Sequence, residues 1–131
     1  MEIQLFDTTR DIDASRIDAD PATIREQVLE YESGERTEFD LKVDYLEGFT
    51  GKVMRAMADI PAGETRTYGE VATALESAPI AVGQACGRNP IPVIVPCHRI
   101  VGVDSLTGYA GGLDLKRRLL EHEGAAIPGE P

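Results

Sequence analysis

Apolar positions along the chain change period several times, and each change marks an element. Ile3–Phe6 reads as a short strand inside an acidic lead-in whose aspartates (Asp7, Asp11, Asp13, Asp18) otherwise predict a loop. Asp20 before Pro21 is a helix cap followed by a proline in the first turn. Ile24, Val28 and Tyr31 then recur at helical spacing until Gly34. Phe39, Leu41 and Val43 alternate with polar residues, the period of a half-buried strand. Phe49, Val53, Met57 and Ile60 return to the helical period and form one stripe, closed by Pro61 and Gly63 and read as core packing. Thr67 and Glu70 have the spacing of a capping box, and Val71, Ala72 and Leu75 give the short helix behind it an apolar face. After a turn over Glu76–Pro79, a second short helix is predicted over Ile80–Cys86, ended by Gly87.

Downstream, Asn89-Pro90-Ile91-Pro92 is extended and turn-rich. A buried apolar run, Val93–Val95, is interrupted by Pro96-Cys97-His98-Arg99 and resumes over Ile100–Val103. Glycines 108, 111 and 112 flank Tyr109 and mark a loop of unusual backbone freedom. Asp114 is expected to cap a last helix that runs to Glu123 and stops at Gly124. The pattern predicts an α+β fold, mainly helical. Its expected divisions are a reduced acidic N-terminal helix and strand region (1–47), a main domain (48–127) and a tail (128–131).

The two short helices joined by a tight turn have a helix-turn-helix outline, which any helical hairpin shares. The second is rich in small residues, Ala81, Gly83 and Ala85. That composition suits close helix packing or a slim helix approaching a nucleic-acid backbone.

Charge bears on the choice. The chain of 131 residues carries a net −10, awkward for a nucleic-acid partner. The excess is uneven: residues 1–47 hold 14 acidic and 5 basic residues, residues 48–131 hold 9 and 8. The second part is the expected binding half. Three lysines against ten arginines, on an acidic background, resemble proteins of a salt-rich cytoplasm. There the screening length falls to ~3 Å at 1 M salt. No apolar run of about 18 residues predicts a membrane span. The N-terminus MEIQLFDTTR lacks the regions of a signal peptide, so a cytoplasmic protein is expected.

Two cysteines, Cys86 and Cys97, make no disulfide framework. Cys97 beside His98, within an apolar run, is a costly place for polar groups, which need partners once buried. A thiol attacks only after its ionisation is favoured by cationic or donor neighbours. In a strand the two side chains would point to opposite faces, so a relay needs a sharp turn or a bridging water. Pro96 favours the turn. Glu123 lies on the inward stripe of the last helix with Leu115 and Leu119, where it could orient the imidazole. Cys97, His98 and Glu123 then form a nucleophile, base and orienter. The rivals are a metal site of Cys86, Cys97, His98 and His122, whose spacing fits no zinc pattern, and a cysteine hydrolase using the same three residues.

The stretch from Asn89-Pro90 through Pro96-Cys97-His98-Arg99 resembles the active-site signature of the O6-alkylguanine-DNA alkyltransferases. The likeness continues through Gly108-Tyr109-Ala110-Gly111-Gly112-Leu113 and Lys116 to Leu119–Gly124. Upstream it takes in Ile60–Thr65 and Tyr68–Ala72, and it covers roughly residues 21–127. It implies direct repair of O6-alkylguanine in double-stranded DNA, with O4-alkylthymine as a second candidate substrate. The alkyl group passes irreversibly and once to Cys97, with no cofactor and no metal. His98 would take the thiol proton through a water, Glu123 would hold His98, and Asn89 would brace the cysteine turn. Tyr68 would donate to the flipped base. The carbonyls of Cys97 and Ile100, the N–H of Ala110 and the side chain of Tyr109 would complete the base site. The second short helix would enter the minor groove, placing Ile80, Ala81, Gly83, Gln84, Arg88 and Arg99 at the DNA. A monomer is implied. Ile80 stands where the family carries an arginine, seventeen residues before the cysteine. A relative that binds alkylated DNA without transfer, recruiting other repair factors, is the alternative.

Overall fold

The helix announced by Asp20-Pro21 forms as α1, Pro21–Ser33, in the computed structural model, with Pro21 in its first turn and Gly34 closing it at φ 86°. The structure describes residues 1–107, 109 and 112–129. Ahead of α1, β1 (Glu2–Leu5) and β2 (Thr8–Asp11) pair antiparallel in a hairpin, Ile3 opposite Arg10. Asp11 therefore lies in a strand of the hairpin rather than a loop, while Asp7 sits in the connecting turn. Phe6 and Asp7 make its turn with positive φ of 50° and 62°. The hairpin is tied down by the terminal ammonium, which donates to Asp11 Oδ1 (3.2 Å) and to the Ile12 carbonyl (2.9 Å).

The strand expected over Phe39–Val43 does not form. Val43 makes one isolated bridge to Ile17, and among the described residues no further strand lies beside it to complete a ladder. The alternating apolar side chains pack half-buried on the core all the same. The stripe from Phe49 becomes α2, Gly48–Ala58, burying Val53, Met54 and Met57.

Next come β3 (Arg66–Thr67), α3 (Tyr68–Ala74) and α4 (Pro79–Gly87). The capping box is present in full: Thr67 Oγ1 accepts from Glu70 N–H (3.0 Å), and Glu70 Oε1 accepts from Thr67 N–H (2.9 Å). α3 and α4 are the two arms of the helix-turn-helix. β4 (Ile100–Val101) pairs parallel with β3. This two-residue ladder ties the start of α3 to the end of the cysteine turn. The last helix, α5, runs Leu113–His122. Gly112, not Asp114, occupies its N-cap, and Asp114 sits in the first turn, where its charge complements the helix dipole.

One apolar core runs from Ile3 and Leu5 through Ile24, Val28, Met54 and Ile91 to Ile100 and Leu119. A smaller cluster of Val101, Leu106 and Leu120 lies under the C-terminal turn. Among the described residues, no helix is long and apolar enough to cross a membrane.

Candidate active site

Asn89 opens the site. Its amide donates to the Val95 carbonyl (2.9 Å), and its carbonyl accepts from Ile91 N–H (3.1 Å). These bonds clamp the loop that delivers Cys97. Within it Val93 is held at φ 73°, a left-handed conformation that β-branched residues resist. The loop closes into a single turn of 3₁₀ helix over Cys97–Arg99, with Cys97 N–H bonded to the Val95 carbonyl (2.8 Å). A 3₁₀ turn rotates successive side chains by about 120° rather than 180°. The sharp turn favoured by Pro96 is thus present.

His98 points inward and is 0% exposed. Its Nε2 lies 2.8 Å from Glu123 Oε2, while Nδ1 has no partner among the described residues. Glu123 follows α5 directly, as its C-cap, with a buried side chain. The inward placement read from the Leu115–Leu119 stripe therefore holds. Burial lowers the His98 pKa below its ordinary value against the pull of Glu123. Burial by itself would raise the Glu123 carboxyl, but bonds and charges from His98 and Arg99 outweigh it and hold the pKa at about 2. The pair rests as neutral imidazole and carboxylate.

Arg99 departs from expectation. It is 2% exposed and cannot face a partner. Its Nε and Nη2 donate to the two oxygens of Glu123 (both 2.9 Å), and Nη1 donates to the Ile60 carbonyl (2.6 Å) and reaches Glu38 (3.4 Å). It is an internal clamp on the Glu123 carboxylate and, contrary to the expectation from the sequence, forms no part of the DNA face.

Two residues of the N-terminal region join this network unannounced. Tyr31 donates its hydroxyl to Glu123 Oε2 (2.7 Å), and Glu38 meets Arg99. Tyr31 is separated from Glu123 by 92 positions, and its helical spacing marks it only as core. The one available signal was a tyrosine hydroxyl on a buried stripe, which needs a partner.

Cys97, 7% exposed, looks outward into a cavity of about 660 Å³ lined also by Tyr68, Asn89, Thr107 and Tyr109. Burial raises the thiol pKa, and the Asn89 amide, the Arg10 charge and the Tyr109 hydroxyl work against that rise. The Tyr109 hydroxyl is buried and faces the thiol without reaching full hydrogen-bond geometry to any group among the described residues. Burial likewise raises Tyr68, leaving it a protonated donor. Cys86 also lines the cavity, but burial pushes its thiol up to about 12 and its sulfur lies 3.7 Å from Met57 Sδ. Lys116 is buried behind the site, its ammonium lowered to about 8 by burial and donating to the carbonyls of Ile100 (2.7 Å) and Leu106 (2.6 Å). The Ile100 carbonyl proposed for the base thus already holds one donor; its second lone pair can take another.

On α4, Ile80 (74% exposed) and Gln84 are exposed one turn apart, and Arg88 continues that face just past the helix. Ala81 and Gly83 are half-buried, Gly83 against the Tyr68 ring. His122 packs between Phe6 and Tyr31 and bonds the Tyr31 carbonyl (2.6 Å), away from the thiol. Among the described residues no three His, Cys, Asp or Glu side chains gather as metal ligands. Ala110 and glycines 108 and 111 lie outside the described residues.

Residues 48–125 match the model of the 6-O-methylguanine DNA methyltransferase DNA-binding domain. The methylated-DNA–protein-cysteine methyltransferase of Mycobacterium tuberculosis is 48% identical over 110 residues, covering 80% of this chain and 66% of the relative. The chain thus spans just under two thirds of that relative's length. The crystal structure of M. tuberculosis OGT in complex with DNA superposes with a TM-score of 0.75 at 47% identity, covering 79% of this chain and 66% of the other. Schizosaccharomyces pombe Atl1, in complex with DNA containing O6-carboxymethylguanine, gives 0.53 at 29% identity, covering 62% and 80%.

Proposed function

The chain belongs to the 6-O-methylguanine DNA methyltransferase family, and on that premise we propose that it repairs O6-alkylguanine in duplex DNA by irreversible transfer of the alkyl group to Cys97. The observation that carries the reading is the Cys97 turn. It presents one thiol to a base-sized cavity while seating His98 on a buried carboxylate.

The target oxygen lies inside the duplex stack, so the nucleotide must swing out to reach the cavity. The Cys97 proton passes through a water to His98 Nδ1, and Glu123 stabilises the imidazolium that forms. The thiolate attacks the alkyl carbon in line, and the carbon–O6 bond breaks. Tyr68 donates to the departing oxygen, so the base leaves as neutral guanine. Tyr68 regains its proton from the His98 imidazolium through water, so the net change moves the alkyl group from O6 to sulfur and the thiol proton to the base, and no cofactor is needed. The product is a thioether, which no group in the site can hydrolyse, so each molecule acts once.

Residues 48–127 are the unit that carries this chemistry, and 1–47 form a reduced cover. Ile80, Ala81, Gly83, Gln84 and Arg88 form the face that meets the minor groove. The protein acts as a monomer. A thiol that must stay reduced suits the cytoplasm.

The likeness to Atl1 favours a second reading, binding without transfer. The presence of Cys97 in a reactive setting argues against it. Intact-protein mass spectrometry after incubation with an O6-methylguanine duplex, at low and high salt, decides. The expected result is one added methyl on the wild type, none on Cys97→Ala, and no second turnover. Tight binding with an unmodified thiol would support the second reading. Hydrolysis of an ester would point to a cysteine hydrolase.

A further inference from the structure

We infer that Arg10, from the N-terminal hairpin, binds the phosphodiester of the nucleotide whose base occupies the Cys97 cavity. The inference rests on the alkyl-transfer reading above and assigns that site a contact outside the matched domain.

The side chain is placed by the hairpin. Arg10 pairs with Ile3 in the β1–β2 register, so the two share a face, and Ile3 is buried. Arg10 is consequently aimed at the body of the protein, yet it stays half-exposed because its end lies in the wall of the cavity. The chain just past the strand is bonded next to the wall: Asp13 N–H donates to the Pro90 carbonyl (2.9 Å), beside the Asn89 that lines the cavity and clamps the cysteine loop. The position is therefore fixed relative to the thiol.

Its surroundings select an anion. The guanidinium stacks over the Tyr109 ring at 5.1 Å. Stacking holds the group in place and leaves its edge donors available. Among the described residues no carboxylate lies within ion-pair reach of it, although the chain has 23 acidic residues and Arg16, Arg36, Arg66 and Arg99 all have such partners. Apolar Ile80 and Pro79 line the same cavity. A planar fork of donors beside a cavity for a neutral base fits the one charge that the substrate carries into it, a phosphodiester. The exposed face of α4 carries Ile80 near this mouth, so the hairpin supplies a cation that the helix does not.

The test uses the full chain. Duplex affinity for O6-methylguanine DNA is measured against salt in a Cys97→Ser background, with and without Arg10→Gln. Arg10→Gln should weaken binding about tenfold at low salt and reduce the slope of log K against log salt by about 1. Arg10→Lys should restore most of the slope. In the Cys97 protein, alkylation by free O6-benzylguanine, which carries no phosphate, is measured in parallel. Arg10→Gln should slow it far less than transfer from duplex. An unchanged salt slope, or equal losses on free base and duplex, overturns the assignment. Failure of the wild type to accept an alkyl group from either substrate would instead sink the transfer reading itself.

Discussion

At the scale of single residues, the site stores its reactivity in neutral form. Burial pushes the Cys97 thiol above its ordinary 9.0 and His98 below its ordinary 6.5. Between those limits the pair proposed to react is thiol plus neutral imidazole, and its population does not change with pH. The single-turnover rate on free O6-benzylguanine should therefore be flat from pH 6.5 to 9.0. In His98→Gln only the minor thiolate fraction reacts, so the rate should climb about tenfold per pH unit over the same range. A sloping wild-type profile would mean that the imidazole is not the base. Glu123 carries a second consequence. Its carboxyl is depressed from 4.5 to about 2, a difference worth roughly 3 kcal/mol. A depressed carboxyl contributes stability above its unfolded value and loses it as pH falls through the folded one. Glu123→Gln also strands the buried Arg99 with, among the described residues, only the exposed Glu38 as counter-charge. The variant should lose about 3–5 kcal/mol in urea unfolding at pH 7. The gap to wild type should narrow between pH 4.5 and pH 2. Equal stabilities at pH 7 would contradict the clamp.

At the scale of elements, local chemistry was legible wherever an element specifies itself. The capping box at Thr67 and the proline start of α1 carry their own signals within a few residues, and both are present; the Asn89 clamp on the cysteine loop, also local, was expected from the resemblance alone. Elements that need a distant partner were not legible. Phe39–Val43 has the period of a strand, but a ladder requires a neighbour that only the fold could supply. β2 was hidden because Thr8–Asp11 shows no apolar alternation: its inward position is taken by Arg10, a cation bound for the cavity wall rather than the core. Arg99 was misplaced for the matching reason. A basic residue beside a nucleophile reads as a surface contact until Glu123 and Glu38, remote in sequence, converge on it. α2 hides a constraint of another kind. Gly51 is buried, and a Cβ there would overlap the Leu46 carbonyl, which is backbone and cannot swing away. Gly51→Ala ordinarily favours a helix, by about 1 kcal/mol. At this position it should instead cost about 1–3 kcal/mol, read as a fall in the thermal midpoint with α2 displaced. A raised midpoint would show that the loop before α2 yields freely.

At the scale of the whole molecule, residues 1–47 and 48–129 share one apolar core and meet at one buried carboxylate, Glu123. Residues 1–47 hold most of the excess negative charge, which would repel a polyanion, yet they cannot be dispensable. Ile3, Leu5, Ile12, Ile24 and Val28 fill the same core as Met54, Ile100 and Leu119. Tyr31 supplies a donor to Glu123, and Glu38 a counter-charge to Arg99. Removing the segment would expose the inner faces of α2 and the cysteine loop and leave Arg99 with one anion fewer. Residues 48–131 expressed alone should therefore lack cooperative unfolding and should not alkylate on free O6-benzylguanine, even though that substrate asks nothing of the DNA face. Adding residues 1–47 as a separate peptide should restore both, because the lost contacts are packing and hydrogen bonds rather than chain connectivity. A truncated chain that melts cooperatively and accepts the alkyl group would show that the cover serves only the DNA. In that case the Tyr31 bond would be a consequence of packing rather than a support for the base.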